Sequence, residues 1–269
     1  MPRWFRTFLK LTPVVAGTSL VAVIGLIIFH ELVPYSDLQG SSDSVGNYLQ
    51  TVGGIYAVLL AFIVFVVWGQ FNDARTYVER EATALVDLHR IVSGLPSPTR
   101  DEIQKELRGY CDAVLADEWR AMAKGDEATI ERIGLRLEHV WVAIHGCEPC
   151  SECQHTIYGE VLSQFNDLSD VRTSRLSASR AKIPTTMRIL LYAGAFIVIG
   201  SMYLMAFDKL WLHATVTAAL AGAVSHILFL IVDLDNAFSG NLQVDKAPFE
   251  RARKAFAREH HQVEASAAA

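Results

Sequence analysis

The sequence predicts an all-α membrane protein with four transmembrane helices and a helical cytoplasmic domain inserted between spans 2 and 3. Three observations support this fold class. Four nearly uncharged apolar runs each have about the length that a helix needs to cross a hydrocarbon core of roughly 30 Å. The segment between the second and third runs is charged but keeps apolar residues at helical spacing. The sequence shows neither alternating strand patterns nor internal repeats.

The apolar runs set the boundaries of the domains. They cover residues 11–33, 49–68, 189–207 and 210–232. The first run is too long for a signal peptide and lacks a small-residue cleavage site, so we interpret it as a retained span. The chain then divides into a first helix pair, a cytoplasmic domain, a second helix pair and a cytoplasmic tail, at residues 1–69, 70–184, 185–234 and 235–269.

Basic residues indicate which side of the membrane each segment faces. Arg3, Arg6 and Lys10 precede the first span, whereas the loop at residues 34–48 contains no Lys or Arg. The segment between spans 2 and 3 and the C-terminal tail are rich in both. The positive-inside rule therefore places both termini and the inserted domain in the cytoplasm.

The second span continues without a break into a charged helix. Ser44 is a suitable N-cap, and helical spacing persists until Gly94 and Pro96 supply a stop. A helix over about residues 45–93 would be on the order of 70 Å long, so roughly 35 Å or more would project beyond the bilayer. Gly69 is tolerable inside a helix, and the segment contains no proline. We expect this rigid joint to let the cytoplasmic domain move the transmembrane helix.

The cytoplasmic half of this long helix carries an apolar seam with one carboxylate in it. The apolar positions, spaced by three and four as in a coiled coil, are Phe71, Ala74, Val78, Leu85, Leu88 and Val92. Glu81 falls on the same seam, where an unpaired carboxylate would cost several kcal/mol. A later helix carries Arg172, Arg175 and Arg180, and the guanidinium fork suits a carboxylate. We predict a buried ion pair between Glu81 and Arg175, with Glu79 on a more exposed face.

Further helices complete the cytoplasmic domain. Pro98 opens the third helix at its first position, and acidic residues follow in the first turn. Gly125 resets the chain for a fourth helix, and a fifth helix is predicted over residues 154–182. Pro184 marks the entry into the third span. We expect the end of the tail to be frayed.

A cysteine-rich turn before the fifth helix is the sharpest local motif. Two overlapping C-x-x-C spacings and two flanking imidazoles could give zinc a shell of three sulfurs and one nitrogen. The ligands would be Cys147, Cys150 and Cys153, with either His145 or His155. A cytoplasmic position argues against a structural disulfide, and an iron–sulfur cluster would usually need a fourth cysteine. The alternative is a solvated turn with incidental cysteines. Zinc is the only cofactor that we predict.

The second span presents an apolar face that could form a dewetting neck around a symmetry axis. Its residues follow one another at spacings of three and four, at Ile55, Leu59, Phe62 and Val66. The same face could instead pack on lipid or on neighbouring helices, because the whole span is apolar. No polar stripe in the span marks a side that faces water.

Ionisable groups in and beside the spans form a last set of candidates. Asp233, Asp235 and Asn236 follow the fourth span and offer oxygen atoms to a hard cation. The alternative is a helix end capped by aspartate and turned at Gly240. His226 is the deepest ionisable group, and it is either functional or a neutral histidine bonded to another helix.

Three motifs in the chain resemble the bacterial bestrophin-like family. The first is A-R-x-x-V-x-x-E-A on the long helix, followed by a tyrosine and a Glu-Trp pair on the third helix and by D-x-P-F-x-G after the last span. They are matched by Ala74, Arg75, Val78, Glu81 and Ala82, by Tyr110, Glu118 and Trp119, and by Asp235, Phe238 and Gly240. Ala237 stands where the third motif has proline. The resemblance covers about residues 53–244.

The resemblance implies a location in the bacterial inner membrane and a function in ion transport. Bestrophins are pentameric anion channels whose second membrane helix lines a narrow hydrophobic neck, and they carry an acidic calcium-binding loop after their last span. We therefore expect an oligomeric, anion-conducting channel, with a pentamer favoured. Its partners would be the lipid bilayer, a permeant anion and other copies of the chain, but no nucleic acid.

The alternative is a non-conducting membrane sensor or scaffold whose cytoplasmic metal-binding domain signals through the long helix. The cysteine-rich turn motivates this second hypothesis. The sequence contains no phosphate-binding glycine loop, no G-x-S-x-G elbow and no H-E-x-x-H pair. Enzyme activity is therefore not expected.

Overall fold

The computed structural model describes residues 3–33, 38, 42–148 and 151–267, with the backbone alone at residues 3–10, 42, 153 and 260–267. The described chain is helical and contains no strand. The helices are α1 (Arg3–Leu32), α2 (Ser42–Ile91), α3 (Thr99–Ala113), α4 (Trp119–Lys124), α5 (Glu127–His145), α6 (Glu152–Arg180), α7 (Thr185–Tyr203), α8 (Leu210–Leu234) and α9 (Ala247–Ala267).

Four stretches are long and apolar enough to cross a membrane, as the sequence predicted. They lie in α1, in the first half of α2, in α7 and in α8. Together with residues 240–242 they form one compact unit, made of residues 1–69 and 182–235. This confirms the all-helical, four-span fold class.

Hydroxyl groups tie the helices of this membrane unit together. Each donates to a backbone carbonyl on another helix, which is an efficient way to satisfy a polar group among apolar neighbours. The donor and acceptor pairs are Tyr56 with Leu191, Ser19 with Ala218, and Tyr203 with Ala22, at 2.9, 3.0 and 2.8 Å. The imidazole of His213, a buried residue, lies 2.8 Å from the carbonyl oxygen of Met202.

The second compact unit comprises residues 70–181, 236–239 and 243–269. Its core contains the predicted seam of α2, in which Ala74, Val78, Leu85 and Leu88 are all fully or almost fully buried. A 3-10 turn, Val92–Gly94, ends α2 close to the predicted stop. Gly125, at φ 70°, then separates α4 from α5, because glycine tolerates left-handed backbone without a steric penalty.

Some element boundaries differ from the prediction. Helix α2 begins at Ser42, so Ser44 lies inside the helix rather than at its cap. Helix α6 begins at Glu152 because the Ser151 side chain accepts a hydrogen bond from the Gln154 backbone and caps it. Pro98 is the N-cap of α3 rather than its first helical residue.

The C-terminal tail differs most from its predicted role as a separate segment. Helix α9 belongs to the second unit, and Phe249, Ala252 and Phe256 are at most 2% exposed. These residues are spaced by three and four, so they share one face of the helix and can enter the core together. The tail is therefore part of the core of this unit.

Candidate functional site

The second span carries an apolar surface that the rest of the chain leaves open. Ile55 and Phe62 are 68% and 57% exposed, and Leu59 and Val66 are half-buried. The buried side of the same helix lies elsewhere, at Tyr56, Leu60, Ile63 and Val67. Exposure also extends around the helix to Val58 and Phe65. Ile55 and Phe62 thus lie on the exposed side of the span, whereas Leu59 and Val66 lie at the border between its exposed and buried sides.

In the second unit, Glu81 of α2 is fully buried and meets Arg175 of α6. The guanidinium contacts both carboxylate oxygens, with Nε 2.5 Å from Oε2 and Nη2 3.1 Å from Oε1. Both side chains are 0% exposed. Such a bidentate pair is the strongest common form of carboxylate–arginine contact. Glu79, two residues earlier, is 52% exposed and lies 3.7 Å from Arg75.

Three more side chains extend this pair into a buried charge cluster, which consists of Glu81, Tyr110, Glu118, Arg172 and Arg175. Arg175 Nη2 donates to Glu118 Oε2 at 2.6 Å, and Arg172 Nη1 donates to the Tyr110 hydroxyl at 2.6 Å. The Tyr110 hydroxyl donates to Glu81 Oε1. Arg172 Nη2 also lies 2.6 Å from Glu118 Oε1, as a close ion pair rather than an aligned hydrogen bond.

The buried charge cluster is electrically balanced, since two carboxylates face two guanidinium groups. Burial alone would raise the pKa of Glu118, but Arg175 and Arg172 more than offset it and hold the pKa below its ordinary value. Burial, helped by Glu81 and Glu118, raises the pKa of Tyr110 well above its ordinary value. Tyr110 therefore stays a neutral donor. No member is more than 7% exposed, so the cluster joins helices and has no open face for a ligand.

The chain also matches the sequence pattern of a known protein family. The sequence pattern of the Bestrophin-like domain matches residues 16–249, which is most of the chain. The chain belongs to the Bestrophin-like family. The earlier resemblance is therefore confirmed.

Solved structures share the fold of this bestrophin-like protein. Two point variants of a bacterial bestrophin homologue from Klebsiella pneumoniae match with TM-scores of 0.67 and 0.68. Both are 14% identical to the chain, cover 90% and 92% of it, and are themselves covered over 97% and 99% of their lengths. At this identity the likeness concerns the fold alone. No curated protein sequence matches the chain.

The bestrophin-like motifs fall on the buried charge cluster. Glu81, Tyr110 and Glu118 come from two separated motifs, and the structure brings all three within hydrogen-bonding or ion-pairing reach of Arg172 or Arg175. Trp119, next in the second motif, packs its ring edge-to-face on Phe238 at 5.4 Å between centroids. Phe238 belongs to the third motif, so all three motifs contribute to the core of one unit.

The carboxylate oxygens of the two aspartates after the fourth span accept hydrogen bonds from N–H donors. Asp233 Oδ1 accepts from the Asn241 backbone at 2.5 Å, and its Oδ2 accepts from the Leu242 backbone at 3.0 Å. Asp235 Oδ1 accepts from the Ile183 backbone at 2.8 Å. These contacts shape the turn after α8. Asn236, the third candidate, is half-buried.

The predicted zinc ligands fall partly outside the described residues. Cys150 lies outside them, and at Cys153 only the backbone is described. Cys147 is 7% exposed, and His145 lies two residues earlier with Nδ1 3.0 Å from the Trp141 carbonyl oxygen. His155 is exposed at the start of α6. Among the side chains that the structure describes, no group of three or more His, Cys, Asp or Glu could hold a metal ion.

Two arrangements could not be read from the sequence. Glu118 joins Tyr110 because Val114–Glu118 forms a π-helical turn between α3 and α4. In a regular α-helix, residues eight positions apart point about 80° away from each other around the helix axis. A π turn contains more residues per turn, so it brings the two side chains closer to the same face.

The histidines of α8 also differ from what their depth in the sequence suggested. His226, the deepest ionisable group by the predicted boundaries, is exposed on the surface of α8, whereas His213 is buried.

Proposed function

We propose that this bestrophin-like protein is an ion channel built from several copies of the chain, with the second span around a shared axis. The observation that carries the proposal is the apolar face of α2 in a chain of this family, exposed at Ile55 and Phe62 and half-buried at Leu59 and Val66. A ring of such side chains makes a hydrophobic constriction, which controls ion passage by excluding or admitting water.

We propose chloride-sized anions as the permeant ions and a pentamer as the assembly. Both rest on the resemblance to bestrophins. The distribution of Lys and Arg supports placing the termini and the second unit in the cytoplasm, and the family resemblance supports a bacterial inner membrane. Reporter enzymes fused after Ser97 and Lys209 should report cytoplasm and exterior, respectively, and an exported reporter after Ser97 would overturn this topology.

Chloride efflux from liposomes that contain the purified protein tests the proposed function. Phe62→Ala should raise the efflux rate, because it widens the constriction and lowers the cost of wetting it. Phe196→Ala is the matched control, since Phe196 is 79% exposed on α7, a different span. We expect the control to conduct like the wild type.

Two results would overturn the proposal that the protein is a channel. One is wild-type efflux no faster than that of empty liposomes, and the other is an equal effect of the two Phe→Ala exchanges. Native mass spectrometry in detergent adds an independent check, because an axial pore requires an oligomer. A stable oligomer that passes neither chloride nor potassium would favour the sensor or scaffold, in which the second unit signals through α2.

A further inference from the structure

Helix α9 contacts a histidine of the long helix through Phe256 and Glu259. His89 of α2 is 2% exposed, and its Nδ1 lies 2.8 Å from Glu259 Oε2 on α9. The other oxygen of the same carboxylate accepts from Arg90 Nε at 2.8 Å. The His89 ring also stacks on Phe256 of α9, with 4.4 Å between ring centroids. Two polar contacts and one ring contact therefore converge on the turn of α9 from Phe256 to Glu259.

The surroundings of His89 favour a neutral ring. Its Nε2 faces Arg108 Nη1 of α3 at 3.5 Å, and a guanidinium can donate but cannot accept. Nε2 must then present a lone pair, which leaves the ring proton on Nδ1, directed at Glu259. A second proton on Nε2 would point at the positive charge of Arg108. Among the side chains that the structure describes, the charged groups around the ring are Glu259 on α9, Arg108 on α3 and Arg90 on α2 itself.

We propose that His89 is a pH-sensitive latch that holds the end of α9 when neutral and releases it when protonated. The start of α9 stays in the core, because Phe249 and Ala252 are buried and contain no titratable group. Only the part from Phe256 onward depends on the histidine. The device lies on α2, the helix that also carries the second span.

The direction of the effect follows from linkage. Burial lowers the pKa of His89 from its ordinary value of 6.5, and Glu259 only partly offsets this. The released form therefore binds a proton more readily than the docked form, so docking is strongest above pH 6.5 and weakens as the pH falls below it. Between pH 7.5 and pH 5.5 the docking constant can fall by up to about tenfold.

Hydrogen exchange on the full-length protein in detergent tests the latch. The measured quantity is the exchange rate of peptides from the end of α9, at pH 7.5 and pH 5.5, corrected for the chemical effect of pH. In the wild type the corrected rate should rise by up to about tenfold at the lower pH. His139→Asn should behave like the wild type, because His139 is another histidine near a carboxylate, 4.0 Å from Glu106, but is 67% exposed.

His89→Phe should keep the ring contact with Phe256 and make the corrected rate independent of pH. If the peptides from the end of α9 already exchange fast in that variant at pH 7.5, Glu259→Gln provides the test instead. It keeps an acceptor for the neutral ring but removes the charge that partly offsets protonation, so the rise at pH 5.5 should equal or exceed that of the wild type. The latch is overturned if the wild-type rate does not change, if His89→Phe shows the wild-type rise, or if Glu259→Gln shows a smaller one.

Discussion

Removing the carboxylate of Glu81 should destabilise the second unit far more than removing an exposed carboxylate. The buried charge cluster holds two carboxylates and two guanidinium groups, so Glu81→Gln leaves one net positive charge in a site that is at most 7% exposed. Breaking a buried ion pair from one side typically costs about 3–5 kcal/mol. Arg175→Met should cost a similar amount, because it leaves Glu81 and Glu118 facing Arg172 alone.

The double variant separates the pair from the rest of the buried charge cluster. Glu81→Gln combined with Arg175→Met leaves Glu118 and Arg172, 2.6 Å apart, and restores the charge balance. Its loss of unfolding free energy should therefore be smaller than the sum of the single losses by about 2–3 kcal/mol, the upper part of the range for residues in one network. Urea unfolding of detergent-solubilised protein, followed by tryptophan fluorescence, measures the unfolding free energies of the wild type, the two single variants and the double variant.

Glu127 and Arg180 provide the matched control. They form the same kind of ion pair, also with an arginine of α6, but their side chains are 50% and 53% exposed. Water screens such a pair, so its coupling should be only about 0.2–1 kcal/mol. Equal coupling energies in the two cycles would refute the idea that burial gives the Glu81–Arg175 pair its strength.

Three further predictions concern other parts of the chain. Purified protein should contain about one zinc per chain, and Cys→Ser exchange at Cys147, Cys150 and Cys153 should abolish it; elemental analysis that finds no zinc in the wild type would reject the site. Gly194→Ala should cost about 1–3 kcal/mol in a thermal unfolding assay, because a Cβ there would lie 2.5 Å from the Tyr56 ring. Gly200→Ala on the same helix is its control, with no neighbouring atom within 4 Å of the new Cβ. Cys111, whose pKa burial raises to about 12, should resist iodoacetamide at pH 8 until the protein is unfolded, and rapid alkylation of native protein would contradict its burial.

The long helix and its seam were readable from the sequence because they depend on local periodicity. Apolar residues at spacings of three and four predicted a buried stripe, and a carboxylate on that stripe required a cation. Arg175 was favoured among three arginines of the fifth helix, and the structure places it on Glu81. The four spans followed equally directly from length and hydropathy.

The positions of Glu118 and of helix α9 could not be predicted from the sequence, because they depend on features that periodicity does not encode. Glu118 lies on the cluster face only because a π turn interrupts the helix, and this turn has no simple sequence signal. Helix α9 has only a short apolar stripe between charged residues, so its sequence resembles a solvated tail. Its burial depends on packing against distant parts of the chain, including Trp119, whose ring lies 6.2 Å from that of Phe249.

Polar contacts fix the position of α2 within each of the two units. Within the second unit, Glu81 and His89 lie eight residues apart on α2, and each is at most 2% exposed and bonded to a different helix, α6 or α9. A buried ion pair contributes little net stability compared with an apolar core, but it fixes register, because any other alignment leaves a charge unpaired. In the membrane unit, the Tyr56 hydroxyl fixes the same helix to α7. Since α2 has neither proline nor another break between Tyr56 and Glu81, both sets of contacts lie on one uninterrupted helix.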